Sequence, residues 1–286
     1  MRKRTDFRLL DRLRVRWAEI DAQQIVFNAH YLMYFDTAVS AYWRAMAMPY
    51  APTLAALGGD LFVRKATLEY LGSARYDDVL DVGMRCARIG TSSMTFAAAV
   101  FCRDQCLVTG ELVYVFADVA SQTARPVPAV LREAMEAFEA GEAMVSVQVG
   151  GWQQLGAQAQ ALRTTVFVEE QKVPAALEWD AADADALHAV ASNRFGAALA
   201  TGRLLQHAPG VARIGRMAVV QAMRGAGIGG QVLEALLQAA RARGDHEALL
   251  HAQISAVPFY LRAGFTTRGD AFDSAGIGHI EMIKAL

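Results

Sequence analysis

Residues 213–243 constrain the fold more than any other stretch of this 286-residue chain. An apolar segment, Arg213 to Val220, runs into Arg224-Gly225-Ala226-Gly227-Ile228-Gly229-Gly230, and an amphipathic pattern follows from Ile228 to Arg243. Glycines at this density let the backbone turn tightly and let several N–H groups converge at a helix start, an arrangement that suits a pyrophosphate. The expected order is strand, glycine loop, helix, with Arg224 adding a cation. Gly225, Gly227 and Gly230 also fit the dinucleotide fingerprint G-x-G-x-x-G. That fingerprint needs an acid at the end of the next strand, and here the strand ends at Ala252-Gln253. No Lys-Ser/Thr pair follows the glycines, so a P-loop is excluded. A tight turn for close helix–strand packing is the plain structural alternative.

The two halves of the chain pattern differently. In the first, a strand is expected over Leu10–Trp17, a helix from Ala29 to Met48 that is apolar nearly all round and so buried, and then period-two strands. Leu80, Val82, Met84 and Cys86 share one face of the first of these. Met94, Phe96, Ala98, Val100 and Cys102 share one face of the next, and a third covers Leu107–Ala117. Asp36, the one acid inside the helix, calls for a partner. A short helix over Ala129–Ala140 ends this half. The second half alternates strands near 145–149, 187–192, 196–204, 213–220, 248–253 and 279–284 with helices near 152–166, 228–243 and 257–263. A long helix against a curled antiparallel sheet is an α+β architecture, and the second half is mixed α/β. Gly141-Glu142-Ala143 marks the expected boundary, giving domains 1–142 and 143–286.

Charge and cysteine content narrow the function. The part up to Glu142 has 16 Lys/Arg against 17 Asp/Glu and the remainder has 12 against 12, so neither half carries the basic excess of a nucleic-acid binder. The run Arg2, Lys3, Arg4, Arg8, Arg12, Arg14, Arg16 is either a solvated face or a site for an anion such as a coenzyme phosphate. Three cysteines, Cys86, Cys102 and Cys106, without an apolar leader segment fit a reducing cytoplasm, and no paired spacing suggests zinc. No apolar run is long enough for a membrane helix.

Asp21 lies in a polar turn just before the expected start of the long helix, whose free N–H groups can polarise a carbonyl beside a carboxylate. The plain alternative makes Asp21 a turn residue and Asn28 an N-cap. The stretch Val15 to Tyr31 resembles the signature of the 4-hydroxybenzoyl-CoA thioesterase-like hotdog family. The likeness continues through Tyr70 to Asp78, Ile89-Gly90-Thr91-Ser92-Ser93-Met94 and Thr123 to Pro128, covering roughly residues 5–140. It implies a hotdog fold, acyl-CoA hydrolysis with Asp21 as the catalytic aspartate, coenzyme contacts near Gly90, Thr91, Ser92 and Ser93, and a dimer or tetramer with sites between subunits. The chain departs from the family at Asn28, where some relatives carry histidine, and at Gln24, where glycine is common. His30 and Glu69 are further polar candidates, each with a structural alternative.

Arg-x-x-Gly-x-Gly at Arg224, Gly227 and Gly229 resembles the coenzyme loop of the GNAT N-acetyltransferases. Ala256 to Phe265 resembles their segment after the central strand. Arg163 to Gln171, Glu178-Trp179-Asp180, His188 and Gly276 to Met282 resemble the ElaA-type branch, so the likeness covers residues 144–286. It implies that the backbone of Met217, Ala218 and Val219 pairs with pantetheine, that Arg224, Gly225, Ala226, Gly227, Ile228, Gly229 and Gly230 hold the pyrophosphate, and that Tyr260 protonates the leaving thiolate. Glu170, Asp180 and His188 are candidates for the amine's base. Glu178, Asp180, Asp183 and Asp185 form either a site for a cationic amine or a solvated loop.

The expectation is a bifunctional enzyme acting on coenzyme A thioesters, a thioesterase followed by an acetyltransferase. It should need no metal, form a homo-oligomer through the first half, and have neither a membrane span nor a nucleic-acid partner. Two other readings use the same residues. In one the first half only binds acyl-CoA and oligomerises; in the other the second half senses acetyl-CoA and regulates hydrolysis.

Overall fold

A computed structural model describes residues 2–274 and 276–286. The chain forms two units, Met1–Met144 and Val145–Leu286.

The first unit contains β1 (Leu9–Arg14), α1 (Asn28–Ala45), α2 (Tyr50–Leu57), β2 (Asp60–Tyr70), β3 (Val79–Ile89), β4 (Ser93–Cys102), β5 (Gln105–Ala117) and α3 (Ala129–Glu139). Its five strands are antiparallel in the order β1-β3-β4-β5-β2. β4 is central, and its residues from Met94 to Phe101, apart from Thr95, are buried. α1 lies against one face, presenting Tyr31, Phe35, Ala38, Tyr42 and Trp43. Gly110 makes that approach possible: a Cβ there would sit 2.4 Å from the Phe35 ring. On the opposite face Phe7 packs with Ala99, Phe101 and Cys106. Glu139 ties α3 down, accepting hydrogen bonds from the Tyr42 hydroxyl and the Cys86 N–H, both at 2.7 Å.

One expectation for this unit needs correction. α1 is not buried all round, because the sheet covers only one side of it; Leu32 and Met33 are 39% and 41% exposed. Asp36 is on that open side and accepts from the Tyr114 hydroxyl at 3.4 Å. The basic N-terminal run is largely solvated, as one of its two readings has it, and it is also paired: Arg4 and Arg12 with Asp81, Arg14 with Asp77 and Arg16 with Glu19.

The second unit contains β6 (Val145–Gly151), α4 (Trp152–Arg163), a π-helical turn (Thr164–Glu170), α5 (Ala175–Glu178), β7 (Leu187–Asn193), β8 (Ala198–Ala208), β9 (Val211–Val219), α6 (Ile228–Arg243), β10 (Glu247–Gln253), α7 (Val257–Arg262), β11 (Thr266–Ser274) and β12 (Ile277–Ala285). The sheet order is β11-β12-β10-β9-β8-β7-β6. α4 covers one face, with Leu155, Ala159 and Leu162 on Val190. α6 covers the other, Val232 and Leu236 closing on Gly202. The two units are an antiparallel sheet with a long helix and a mixed sheet between helices, an α+β chain throughout.

Candidate functional site

In the first unit, residues 20–26 fold into a small loop beside the start of β3. Ile20 bridges Val26, Ile25 bridges Arg75, and the Val26 N–H donates to the Ala74 carbonyl at 2.9 Å. Asp21 opens the turn inside this loop. Its Oδ1 accepts from the Gln23 N–H at 2.8 Å, and its carbonyl accepts from the Gln24 N–H at 2.9 Å. Oδ2 accepts no hydrogen bond from a described residue. Gln24 closes the turn at φ 60°, the left-handed region that favours glycine. The same loop leads into α1, whose N-cap is Phe27 rather than Asn28, with no capping side chain. Asn28 is the first helical residue and exposed, and its carbonyl accepts from the Tyr70 hydroxyl at 3.2 Å. The free N–H groups of the first turn of α1 are therefore left to other partners.

Glu19 holds this arrangement in place and was not singled out from the sequence. It is 2% exposed. Its carboxylate accepts from the Arg16 side chain, from the Arg16 N–H at 2.7 Å and from the Tyr34 hydroxyl at 2.8 Å. Its carbonyl accepts from the Phe27 N–H at 2.9 Å. Burial pushes its carboxyl pKa up, but the Arg16 and Tyr34 hydrogen bonds outweigh burial and hold it below the usual value. The pattern Arg16-x-x-Glu19 before Asp21 was the available signal. His30 lies edge-on to Phe27, and Glu69 accepts from Thr109 on the neighbouring strand at 3.4 Å.

The turn Gly90–Ser93 sits at the far end of β3 from this loop. It is knitted to the tail of the unit: the Thr91 and Ser92 carbonyls accept from Val127 and Phe116, and Arg132 donates to the carbonyls of Ile89 and Gly90. β3 has 11 residues, so at about 3.3 Å each the turn lies roughly 30 Å from the Asp21 loop. One chain does not bring these two predicted regions together.

In the second unit β9 and β10 are parallel, but their register extends only from Val211/Glu247 to Arg213/Leu249. Beyond Arg213 the two strands part, and the edge of β9 up to Val219 that faces β10 has no strand partner among the described residues. Its other edge stays paired with β8, through a bulge that leaves Arg216 at φ 52°. The unpaired edge leads past Val220 into the glycine loop. Gly225 and Gly227 adopt φ 82° and 80°, and Gly227 is the N-cap of α6. A side chain other than glycine is strained at both. Gly229 sits 3.2 Å from Val219 and 3.8 Å from the Phe259 ring, measured to an added Cβ. Strand end, glycine loop and α7 therefore meet at Val219, Gly229 and Phe259, and Tyr260 is the next residue of α7, packed on Phe259 and Phe265. Tyr260 is 7% exposed; burial raises its pKa to about 12, and its hydroxyl bonds to no described residue.

The acids named from the sequence are already engaged. Glu170 makes a bidentate pair with Arg224, 2.6 Å at each oxygen, which holds its pKa down. Glu178, Asp180 and Asp183 form neither an amine site nor a solvated loop. Three arginines from α4, β8 and β9 neutralise them. Arg163 reaches Glu178 at 2.5 Å and Asp183 at 2.7 Å, Arg203 reaches Asp180 and Asp183 at 2.7 and 2.8 Å, and Arg216 reaches Glu178 at 3.3 Å. His188 is fully buried beside Trp152, and burial lowers its pKa. Among the described residues, Asp185 is the member of the cluster that is exposed without an ion pair.

The acetyltransferase (GNAT) domain model matches residues 153–286, and the thioesterase superfamily model matches residues 23–109. The "Uncharacterized N-acetyltransferase YjcF" of Bacillus subtilis is 36% identical over 124 residues, 43% of this chain and 87% of that protein. The "Putative esterase" of Aquifex aeolicus is 32% identical over 93 residues, 32% of this chain and 72% of that protein. The chain belongs to both families. Its thioesterase-superfamily half comes first and its GNAT half second. A crystal structure of a hypothetical protein from Aquifex aeolicus, 25% identical, covers 44% of this chain and 98% of its own with a TM-score of 0.42.

The parts of the GNAT half thus converge within one unit, whereas those of the thioesterase-superfamily half do not. Among the described residues no group of three His, Cys, Asp or Glu side chains could hold a metal ion, and no helix is long and apolar enough to cross a membrane.

Proposed function

We propose that the chain is a bifunctional coenzyme A enzyme, with residues 1–142 hydrolysing an acyl-CoA and residues 143–286 moving an acetyl group from acetyl-CoA to an amine. The unpaired edge of β9 running into the glycine loop carries the reading. An extended ligand with amide groups, such as the pantetheine arm, completes such an edge as an added strand, with its pyrophosphate against the N–H groups of Gly225, Gly227, Ile228 and Gly229, since those of Arg224, Ala226 and Gly230 donate within the loop. The backbone of Met217, Ala218 and Val219 then faces the thioester. Tyr260, protonated at neutral pH and with a free hydroxyl, donates to the departing thiolate sulfur. The amine attacks the carbonyl directly.

In the first half, the Asp21 carboxylate attacks the acyl carbonyl or activates a water, and the uncapped start of α1 stabilises the oxyanion. The separation of Asp21 from Gly90, Thr91, Ser92 and Ser93 supports a homodimer or tetramer in which one copy supplies the acid and another the coenzyme turn. The exposed Leu32 and Met33 on α1 and the exposed edge strand β2 favour such association. Three free thiols suit a reducing cytoplasm.

One observation favours a second reading, in which the first half binds acyl-CoA without hydrolysing it: Asp21 Oδ1 is already committed to its own turn. Release of coenzyme A thiol from a panel of acyl-CoA esters, with no amine added, separates the two. Asp21→Ala is expected to slow release by roughly 10²–10⁴-fold. No release by folded wild type, with acyl-CoA still bound, supports the binding module instead.

A further inference from the structure

Arg224 is the cation of the glycine loop, and each of its three side-chain nitrogens already has a partner. Nε donates to the carbonyl of Val219, the last residue of β9, at 3.1 Å, and Nη1 and Nη2 donate to the two oxygens of Glu170 at 2.6 Å each. Its main-chain N–H donates to the Gln221 carbonyl at 3.2 Å. Glu170 is held from its own side as well. It closes the π-helical turn, after which the Gln171 N–H donates to the Val166 carbonyl at 3.1 Å and the Val173 N–H to the Phe167 carbonyl at 2.9 Å. The next side chain, Gln171, accepts from Gln253 Nε2 at 2.9 Å. Gln253 ends β10, four residues past Leu249, where the register with β9 stops. Two consecutive side chains of one segment therefore tie to both banks of the parting strands, Glu170 to the loop after β9 and Gln171 to the end of β10.

We infer that Arg224 serves the coenzyme as a positioning residue, clamped by Glu170, rather than by placing its guanidinium on the pyrophosphate. A bidentate guanidinium–carboxylate pair fixes direction as well as distance. This one joins the end of β9 to the π-helical turn and sets where the chain enters the glycine loop. The loop N–H groups that bond to no described residue begin at the next position, Gly225, and continue at Gly227, Ile228 and Gly229. Their directions are set before the pyrophosphate arrives, so less ordering is needed on binding. The Arg224 charge is neutralised by its own carboxylate, which leaves the N–H groups and the start of α6 to attract the anion. Glu170, anchored through Gln171 to β10, is not poised to swing away and release Arg224 to another anion.

The inference rests on the coenzyme reading of the second half, and the sign of one substitution tests it. Glu170→Ala releases Arg224 and leaves an extra positive charge beside the loop. A guanidinium that binds the pyrophosphate would then bind it better, whereas a clamp without its partner binds it worse. The probe is acetyl-CoA, titrated into the full chain by calorimetry, which reads the dissociation constant and the binding fraction separately. Glu170→Ala is expected to raise Kd roughly three- to tenfold, the upper range for a partly exposed pair with bidentate geometry. The charge-preserving Glu170→Ala/Arg224→Met should weaken binding to the same extent, because the two side chains act as one unit. Glu170→Gln, which keeps one acceptor for Arg224, should recover part of the affinity. Unchanged or tighter binding by Glu170→Ala overturns the clamp. So does a smaller binding fraction with an unchanged Kd, which is what a merely structural pair would give. Folded wild type that binds no acetyl-CoA overturns the coenzyme reading, and the role of Arg224 falls with it.

Discussion

Replacing Arg163 with methionine should expose the energetics of the buried ion network. Arg163 is 1% exposed and makes three hydrogen bonds: to Glu178 Oε1, to Asp183 Oδ1 at 2.7 Å and to the Glu178 carbonyl at 2.8 Å. Its guanidinium also lies 4.6 Å over the Trp179 ring. Methionine keeps most of the volume and removes the charge. Breaking a buried pair from one side costs about 3–5 kcal/mol, because the remaining charge stays desolvated. Here Asp183 keeps Arg203 at 2.8 Å and Glu178 keeps Arg216 at 3.3 Å, which places the expected loss at the lower end, about 3 kcal/mol. At 1.4 kcal/mol per tenfold, amides of β7 and β8 that exchange by the opening of this unit should exchange roughly 100-fold faster. Hydrogen exchange read by mass spectrometry on the full chain, across a urea series, measures this segment by segment. Arg163→Met/Glu178→Met should regain part of the loss, since it removes a buried acid together with its counter-ion. A single-variant loss under about 1 kcal/mol, the size of a surface pair, would refute the reasoning.

Two predictions concern the Asp21 loop. The Glu19 carboxyl titrates below its ordinary 4.5 in the folded chain, so its stabilisation is present above that pH and is lost as pH falls through the lowered value. Glu19→Gln should cost roughly 1–3 kcal/mol at pH 7 and flatten the acid limb of the stability profile; an unchanged acid limb in urea melts would contradict this. Gln24→Gly relieves a left-handed residue at φ 60° that costs about 1–2 kcal/mol, against about 0.5–1 kcal/mol of added chain entropy. A rise in the urea midpoint with unchanged slope is the expected result, and a fall would mean the Gln24 side chain contributes a contact of its own.

Local chemistry was the readable part of this sequence. The glycine loop announces itself because residues 224–230 carry their own backbone requirement, and the strands of the first unit announce themselves through strict alternation. Elements that depend on neighbours were harder to read. β11, Thr266–Ser274, holds Gly269 and two aspartates and is exposed along its length; pairing with β12 makes it a strand. β2 was missed for a related reason, since as an edge strand it has little buried alternation to display. The acid cluster looked like a surface loop because its counter-ions, Arg203 and Arg216, stand 20 to 38 residues away in the chain.

On the proposed reading, the parting of β9 from β10 also sets what the second unit can admit. A sheet that stops pairing midway offers a row of main-chain donors and acceptors at strand spacing, with little side-chain shape to match. Such a slot reads the rhythm of amides along a flexible chain. A thioester joined to a two-amide arm should therefore enter even when its acyl group varies, and short extended amides with no nucleotide at all should compete for the same rail.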